Sequence, residues 1–369
     1  MVTSDNIEET NNSAMDATPT MTDENQDDFL SDANKGDEKS SLKNSYKVLA
    51  RKYRPQNFED LMGQEIMVQT LKNAFKTNRI AHAYILTGVR GIGKTTTARL
   101  LARSLNYETD LINEPNIEMP EIGKHCEEIM ESRHIDVIEM DAASRTGIAD
   151  IREIIDSINY SPSSARYKIY IIDEVHMLSK AAFNGLLKTL EEPPAHVKFI
   201  FATTEVQKIP LTILSRCQRF DLRRFDNDMI RSLINKVCKK EMVSIDDQII
   251  NLIARASGGS ARDSLSLLDQ AMALSTDGNI SEEKIRQMLG MSDQSRVIDL
   301  YEYISTTEIE KALSEVKDQV DIGTDPVNLI ESLGDLIHEL TRLKVTNSED
   351  DNLSLGPDGF KRIKALKEK

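Results

Sequence analysis

The chain has 369 residues, length for two or three domains and a sizeable core. Its apolar residues make 39%, mean hydropathy is −0.41, and no run approaches the roughly 18 apolar residues of a membrane helix, which excludes a spanning protein. Net charge is −15, and three cysteines far apart (Cys126, Cys217, Cys238) exclude a disulfide scaffold, so the chain reads as cytosolic.

Most of that charge is local. Residues 1–40 hold eleven acids against Lys35 and Lys39, so basic groups further on remain free to meet a phosphate backbone. Residues 1–43, acidic and without periodicity, read as a disordered leader, either a solvated extension or a docking segment. From Tyr46 the texture changes. Strands are expected at Ala83–Leu86, Ile135–Met140, Lys168–Ile172 and Val197–Ala202, with helices at Lys94–Leu105, Ile148–Ile158 and Lys180–Leu190. Alternation of this kind predicts an α/β domain at about 44–222, a parallel sheet with crossover helices on both faces.

Beyond Arg223 the strand signal stops. Ile245 to Ala256 form one helical face ended by Gly258-Gly259, and Ser260 begins a helix through Leu274 with Asp263 in capping-box position. A further helix covers Glu282–Leu289, completing a small helical domain at 223–290. Residues 296–345 give two or three amphipathic segments before Asn347–Asp351 breaks the pattern.

Gly88-Val89-Arg90-Gly91-Ile92-Gly93-Lys94-Thr95 fits G-x-x-x-x-G-K-[ST] between a strand and a helix. Gly88, Gly91 and Gly93 let backbone N–H groups converge on phosphate oxygens, and the helix start adds positive charge there. Lys94 would reach the β/γ-phosphates, Thr95 would complete a Mg2+ shell, and Thr96 follows in the same first turn. The Ile169–Ile172 strand delivers Asp173-Glu174 to the mouth of the sheet. Asp173 would hold Mg2+ through water, and Glu174 would orient or deprotonate the attacking water. Alone, such a pair is more often a helix N-terminal charge; behind a phosphate loop it reads as a hydrolytic nucleoside triphosphate site.

Thr203-Thr204 end the fourth strand beside Asp173, as strand formers or as hydroxyls that sense a γ-phosphate. Arg216 lies in Ser215-Arg216-Cys217. Arg262 stands in the first turn after Ser260, where the helix dipole disfavours a cation unless an anion, or an ion pair with Asp263, compensates.

A set of motifs surrounds this site. Leu49-Ala50-Arg51-Lys52-Tyr53-Arg54-Pro55, Phe58 and Gly63-Gln64 precede the loop. Asp141-Ala142-Ala143-Ser144-Arg145-Thr146, Asp173-Glu174-Val175-His176, Leu190-Glu191-Glu192-Pro193-Pro194 and Ser215-Arg216-Cys217 follow in order. Together, densely over 46–290, they resemble the gamma/tau subunit family of bacterial DNA polymerase III, the ATPase of the sliding-clamp loader. The resemblance implies an AAA+ domain, a helical lid and a helical collar at 291–369, in a five-subunit ring. That ring includes delta, delta-prime and further copies of the chain, and uses ATP to open the clamp and load it on primer–template DNA. The delta-prime partner shares the Ser-Arg-Cys run but lacks a working phosphate loop.

By the same resemblance Thr204 is sensor 1, Arg262 sensor 2 and Arg216 a finger acting on a neighbour's ATP. Tyr53, Arg54 and Pro55 would line the adenine pocket. Arg145, Arg152 and Lys188 would touch the template backbone, or are solvated helix-face charges. The implied location is cytoplasmic and nucleoid-associated.

Two departures stand out. The family's four-cysteine zinc module has Tyr107, Pro120, Gly123 and Cys126 in the matching places, and neighbouring His125 leaves the ligands too few, so zinc is not expected and the loop at 107–124 would be held by packing or left mobile. The chain stops at Lys369 with Lys361–Lys369 resembling a truncated helix, so an incomplete collar and no tau extension are expected. Competing readings are a DExH helicase, for which 223 onward leaves no second α/β domain, a non-hydrolysing loader-like scaffold, and another AAA+ DNA remodeller.

Overall fold

The computed structural model describes residues 46–144, 147–274, 280–289 and 294–346. The 1–43 leader, Arg145, the break at 347–351 and the lysine-rich end fall outside them.

Five parallel strands form one sheet in the order β2-β3-β4-β1-β5. They are β1 (Ala83–Thr87), β2 (Val137–Asp141), β3 (Lys168–Asp173), β4 (Val197–Thr203) and β5 (Gln218–Asp221). Near-continuous apolar runs make β1, β3 and β4 buried on both faces, as a covered parallel sheet requires. Alternate residues feed two cores. Tyr84, Leu86, Ile169, Ile171 and Ile200 pack under α2 (Glu65–Lys76), α3 (Lys94–Leu105) and α4 (Cys126–Met130). Ile85, Tyr170, Ile172, Phe199 and Phe201 pack under α5 (Ile148–Ile158), α6 (Lys180–Glu191) and α7 (Leu211–Leu214). Each such buried side chain contributes roughly 1.5–3 kcal/mol.

Strand β5 was not expected from sequence. It is an edge strand of four residues in which only Phe220 is buried, so no apolar run announces it. Helices α3 and α5 match the sequence reading residue for residue.

Beyond the sheet, α8 (Asn227–Glu241), α9 (Asp247–Ala256), α10 (Ala261–Ala273) and α11 (Glu282–Met288) share a separate apolar cluster. Side chains of Asp226 and Asp246 cap α8 and α9 by accepting backbone N–H bonds. Leu49, from the short α1 (Leu49–Lys52), joins this cluster although it precedes the sheet in sequence. Only half of the expected capping box forms at α10. Ser260 Oγ accepts from Asp263 N at 3.1 Å, but the Ser260 N–H goes to Ser257 O rather than to the Asp263 carboxylate. Finally, α12 (Gln294–Ser305), α13 (Ile309–Asp321) and α14 (Pro326–Thr346) pack about Val297, Ile298, Leu300, Leu329, Leu336 and Leu340. Among the described residues no helix is long and apolar enough to cross a membrane.

Candidate nucleotide site

Parallel register brings the C-terminal ends of β1, β3 and β4 together: Thr87 lies opposite Thr203, and Ile172 opposite Phe201. The loop from Gly88 to Gly93 leaves this edge with positive φ at Gly88, Gly91 and Gly93 (145°, 78° and 97°), conformations that side-chain-bearing residues resist. A Cβ on Gly93 would meet nothing within 4 Å, so its outer face is open at the start of α3. There the first N–H groups of a helix lack internal partners and suit an anion.

Lys94 is almost buried and folds back on the loop, its Nζ donating to Gly88 O at 3.0 Å and Val89 O at 3.1 Å. Burial pulls its pKa down, while Glu174 (4.0 Å away) and Asp173 push it up. Thr95 Oγ1 donates to Asp173 Oδ2 at 2.5 Å, placing two hard oxygen donors side by side, the kind of set Mg2+ takes. Thr96 is buried in the same turn of α3. Glu174 occupies the left-handed region (φ 46°, ψ 45°), which turns its carboxylate back across the sheet end. Its Oε2 accepts both the N–H and the hydroxyl of Thr204, each at 3.1 Å. Thr204 thus holds an oxygen of Glu174, a contact that spacing alone could not show.

The helical domain closes over the loop. Arg262 N donates to Gly91 O at 3.1 Å, and a Cβ on Gly91 would lie 1.9 Å from Ser260 Oγ. The Arg262 side chain makes no ion pair with Asp263 and has no hydrogen-bond partner among the described residues. Arg54 is half-buried and likewise unpaired. Its pKa is lowered by burial first, then by Arg99, Arg51 and Arg262, with Glu139 opposing. Arg99 itself is neutralised by a bidentate grip on Glu139 at 2.8 and 2.7 Å, leaving Arg54 and Arg262 as cations in want of an anion. Beside Arg54, Tyr53 donates its hydroxyl to Glu241 Oε1 of α8 at 2.6 Å. Burial and that carboxylate raise its pKa to about 12. Pro55 is half-buried in the same segment.

Arg216 stands apart from these groups. It donates to Thr212 O and Glu191 Oε1, each at 2.7 Å, and to no phosphate-loop atom. Arg152 on α5 and Lys188 on α6 are both exposed, on neighbouring helices packed closely through Gly185.

Three of the four places that match the zinc module, Tyr107, Gly123 and Cys126, are held by other bonds, and Pro120 is exposed. Tyr107 is fully buried, its hydroxyl donating to Glu121 O (3.0 Å) and accepting from Glu121 N (3.2 Å), while Cys126 Sγ accepts from Gly123 N at 3.2 Å. This donor set does not fit zinc. Among the described residues no group of three or more His, Cys, Asp and Glu could hold a metal ion.

Comparison with known proteins follows the chain in three blocks. Residues 63–226 match the family described as DNA polymerase III, delta subunit, 229–277 the DNA polymerase III clamp loader subunit, ATPase lid domain, and 280–369 DNA polymerase III subunits gamma and tau domain III. The DNA polymerase III subunit gamma of Buchnera aphidicola subsp. Schizaphis graminum is 41% identical over 300 residues, 81% of this chain and 81% of that protein. The chain belongs to the DNA polymerase III gamma/tau family. The subunit tau of Escherichia coli (strain K12) is 44% identical over 303 residues, covering 82% of this chain and 46% of its own length, so the chain spans about half of such longer relatives. Among solved structures, the RuvB Holliday junction branch migration motor of Thermotoga maritima aligns with a TM-score of 0.47 and 19% identity, over 69% of this chain and 80% of that one. The fold is an α/β arrangement with a five-stranded parallel sheet, followed by a helical region that matches the clamp loader ATPase lid domain.

Proposed function

We propose that the chain is an ATP hydrolase, the motor subunit of a DNA polymerase III clamp loader. It would act with delta, delta-prime and further copies of itself to open a sliding clamp and load it on primer–template DNA in the cytoplasm, at the nucleoid. One observation carries the reading. The Thr95–Asp173 pair and the Thr204-held Glu174 meet Lys94 at one sheet end, under a lid whose Arg262 has no carboxylate of its own.

Each residue then has a task. The loop N–H groups between Gly88 and Lys94 receive phosphate oxygens, and Lys94 exchanges the Gly88 and Val89 carbonyls for the β/γ-phosphates. Thr95 and Asp173 would hold Mg2+, which when bound neutralises phosphate charge. Glu174 accepts a proton from the attacking water through the oxygen that Thr204 leaves free. Arg262 and Arg54 receive phosphate charge from the lid side, with Tyr53 and Pro55 flanking the base. Arg216, paired only within its own chain, is presented to a neighbour's ATP. Arg152 and Lys188, with Arg145, supply backbone contacts without sequence preference. Zinc has no part in this scheme.

ATP turnover by the chain alone, then with delta, delta-prime, clamp and primed DNA, tests the assignment. Stimulation only in the full mixture supports a loader. Stimulation by duplex DNA alone with strand separation overturns it.

A further inference from the structure

We propose that His176 is a positioning residue for Glu174, fixing which carboxylate oxygen faces the reacting water; this deepens the hydrolytic reading and rests on it. The geometry begins with the backbone. Glu174 in the left-handed region feeds directly into a 3-10 turn, Val175–Met177, and that tight turn folds His176 back under the ends of β3 and β4. Its side chain is 6% exposed and sits between two carboxylates. Nδ1 lies 3.0 Å from Thr203 Oγ1 and 3.4 Å from Glu174 Oε2, while Nε2 lies 3.3 Å from Glu205 Oε1.

Nδ1 shares a hydrogen bond with Thr203 Oγ1, which also accepts the Glu205 N–H at 3.0 Å. The Nε2 edge faces the Glu205 carboxylate at ion-pair distance. The ring is thus fixed through Thr203 and lodged between two carboxylates, its Nδ1 edge beside Glu174 Oε2. Oε2 accepts the two Thr204 donors, and the wall formed by the ring blocks rotation of the carboxylate away from them. Oε1 remains the oxygen on the Lys94 side, 4.0 Å from Nζ. Thr203, His176 and Glu205 form a support behind Glu174, joined to the phosphate loop through the Gly88 N–H, which donates to Thr203 O at 3.3 Å. Its outer end is the exposed Glu205–Lys208 pair, at 2.9 Å.

The test uses the full chain in its assembled complex, with kcat, KM for ATP and nucleotide affinity measured separately. His176→Ala lowers kcat by about tenfold, the worth of one lost positioning contact, and leaves KM and nucleotide affinity within about twofold. Asn places an amide atom where Nδ1 was and Gln one where Nε2 was, so His176→Asn recovers most of the turnover and His176→Gln less. In a Glu174→Gln background, His176→Ala costs nothing further. An unchanged kcat in His176→Ala overturns the proposal, as does an equal loss in the Asn and Gln variants. If His176→Ala fails to fold, the Asn–Gln comparison alone decides. Full turnover by Glu174→Gln would instead remove the hydrolytic reading itself, a result the histidine variants cannot mimic.

Discussion

The hydroxyl of Thr95 donates to Asp173 Oδ2 at 2.5 Å, tying the first turn of α3 to the last residue of β3 across 78 positions of sequence. Both are oxygen donors, and under the proposed function removing one would leave the divalent ion underfilled. Thr95→Ala is expected to raise the Mg2+ concentration for half-maximal turnover by about 10–100-fold, while Thr95→Ser stays close to the parent. Magnesium titration of ATP hydrolysis decides, and a Thr95→Ala curve superimposed on the parent would contradict the assignment.

Glu174 and Thr204 act as one unit, since Thr204 gives both of its donors to Oε2. Glu174→Gln keeps the shape but loses the proposed base, so nucleotide binding should persist while turnover falls by about 10²–10⁴-fold. Thr204→Val retains the N–H bond and loses the hydroxyl, and it should show a smaller fall in kcat with KM preserved. Equal effects in binding and turnover would argue against this division.

Two glycines of the loop separate fold from binding. A Cβ on Gly91 would collide with Ser260 Oγ, whereas one on Gly93 meets no protein atom within 4 Å. Gly91→Ala therefore disturbs lid docking, costing about 1–3 kcal/mol in thermal stability before any nucleotide is added. Gly93→Ala, at φ 97°, costs about 1–2 kcal/mol of strain but places a methyl group in the phosphate cradle. Its larger loss is in nucleotide affinity. Melting curves with and without nucleotide would distinguish the two, and identical behaviour would remove the distinction.

The parts of this molecule that sequence made visible are those with local physics. β1, β3 and β4 declare themselves as apolar runs because both faces are covered, and α3 begins where a left-handed Gly93 must precede it. Lys94, Thr95, Asp173 and Glu174 are legible through a loop motif and an acid pair behind a strand. β5 is not, because an edge strand with a single buried residue carries no pattern. Nor are the supports of the site. Glu191 holding Arg216, Glu241 holding Tyr53 and Thr203 holding His176 pair residues 25, 188 and 27 positions apart, and no periodicity links them. His176 belongs to the Asp173-Glu174-Val175-His176 run, yet its contacts are set by the turn after Glu174 rather than by its place in that run.

Glu191 and Arg216 give a fourth test. Their 2.7 Å bond keeps the guanidinium on its own subunit's surface, with the Thr212 carbonyl fixing its direction. Arg216→Ala should leave its own nucleotide affinity intact and lower turnover of the assembly by about 10³-fold or more, the usual worth of a finger in phosphoryl transfer. Mixing Arg216→Ala with Lys94→Ala chains should restore turnover at interfaces where an intact finger meets an intact loop. No recovery on mixing would place the role of Arg216 within its own subunit.

The loop from Tyr107 to Cys126 offers a pH test. His134 Nδ1 accepts the Asp136 N–H at 3.0 Å, so its Nε2–H donates to His125 Nδ1 at 2.9 Å, and His125 Nε2 faces Glu108 at 3.9 Å. Burial, and then the nearby His125, hold the His134 pKa below its usual value, against the opposing pull of Asp136 and Glu128. A histidine kept neutral in the fold but free to charge when unfolded stabilises fully above about pH 6.5, the unfolded value. That stability is lost as pH falls from there through the folded value. The melting temperature should therefore drop between pH 7.5 and 5.5. His134→Asn keeps an acceptor for the Asp136 N–H without titrating, so its drop should be smaller. Reaction of the buried Cys126 with a thiol reagent should speed up over the same interval in the parent more than in the variant. Equal pH slopes in the two proteins would show that the imidazole pair does not govern this loop.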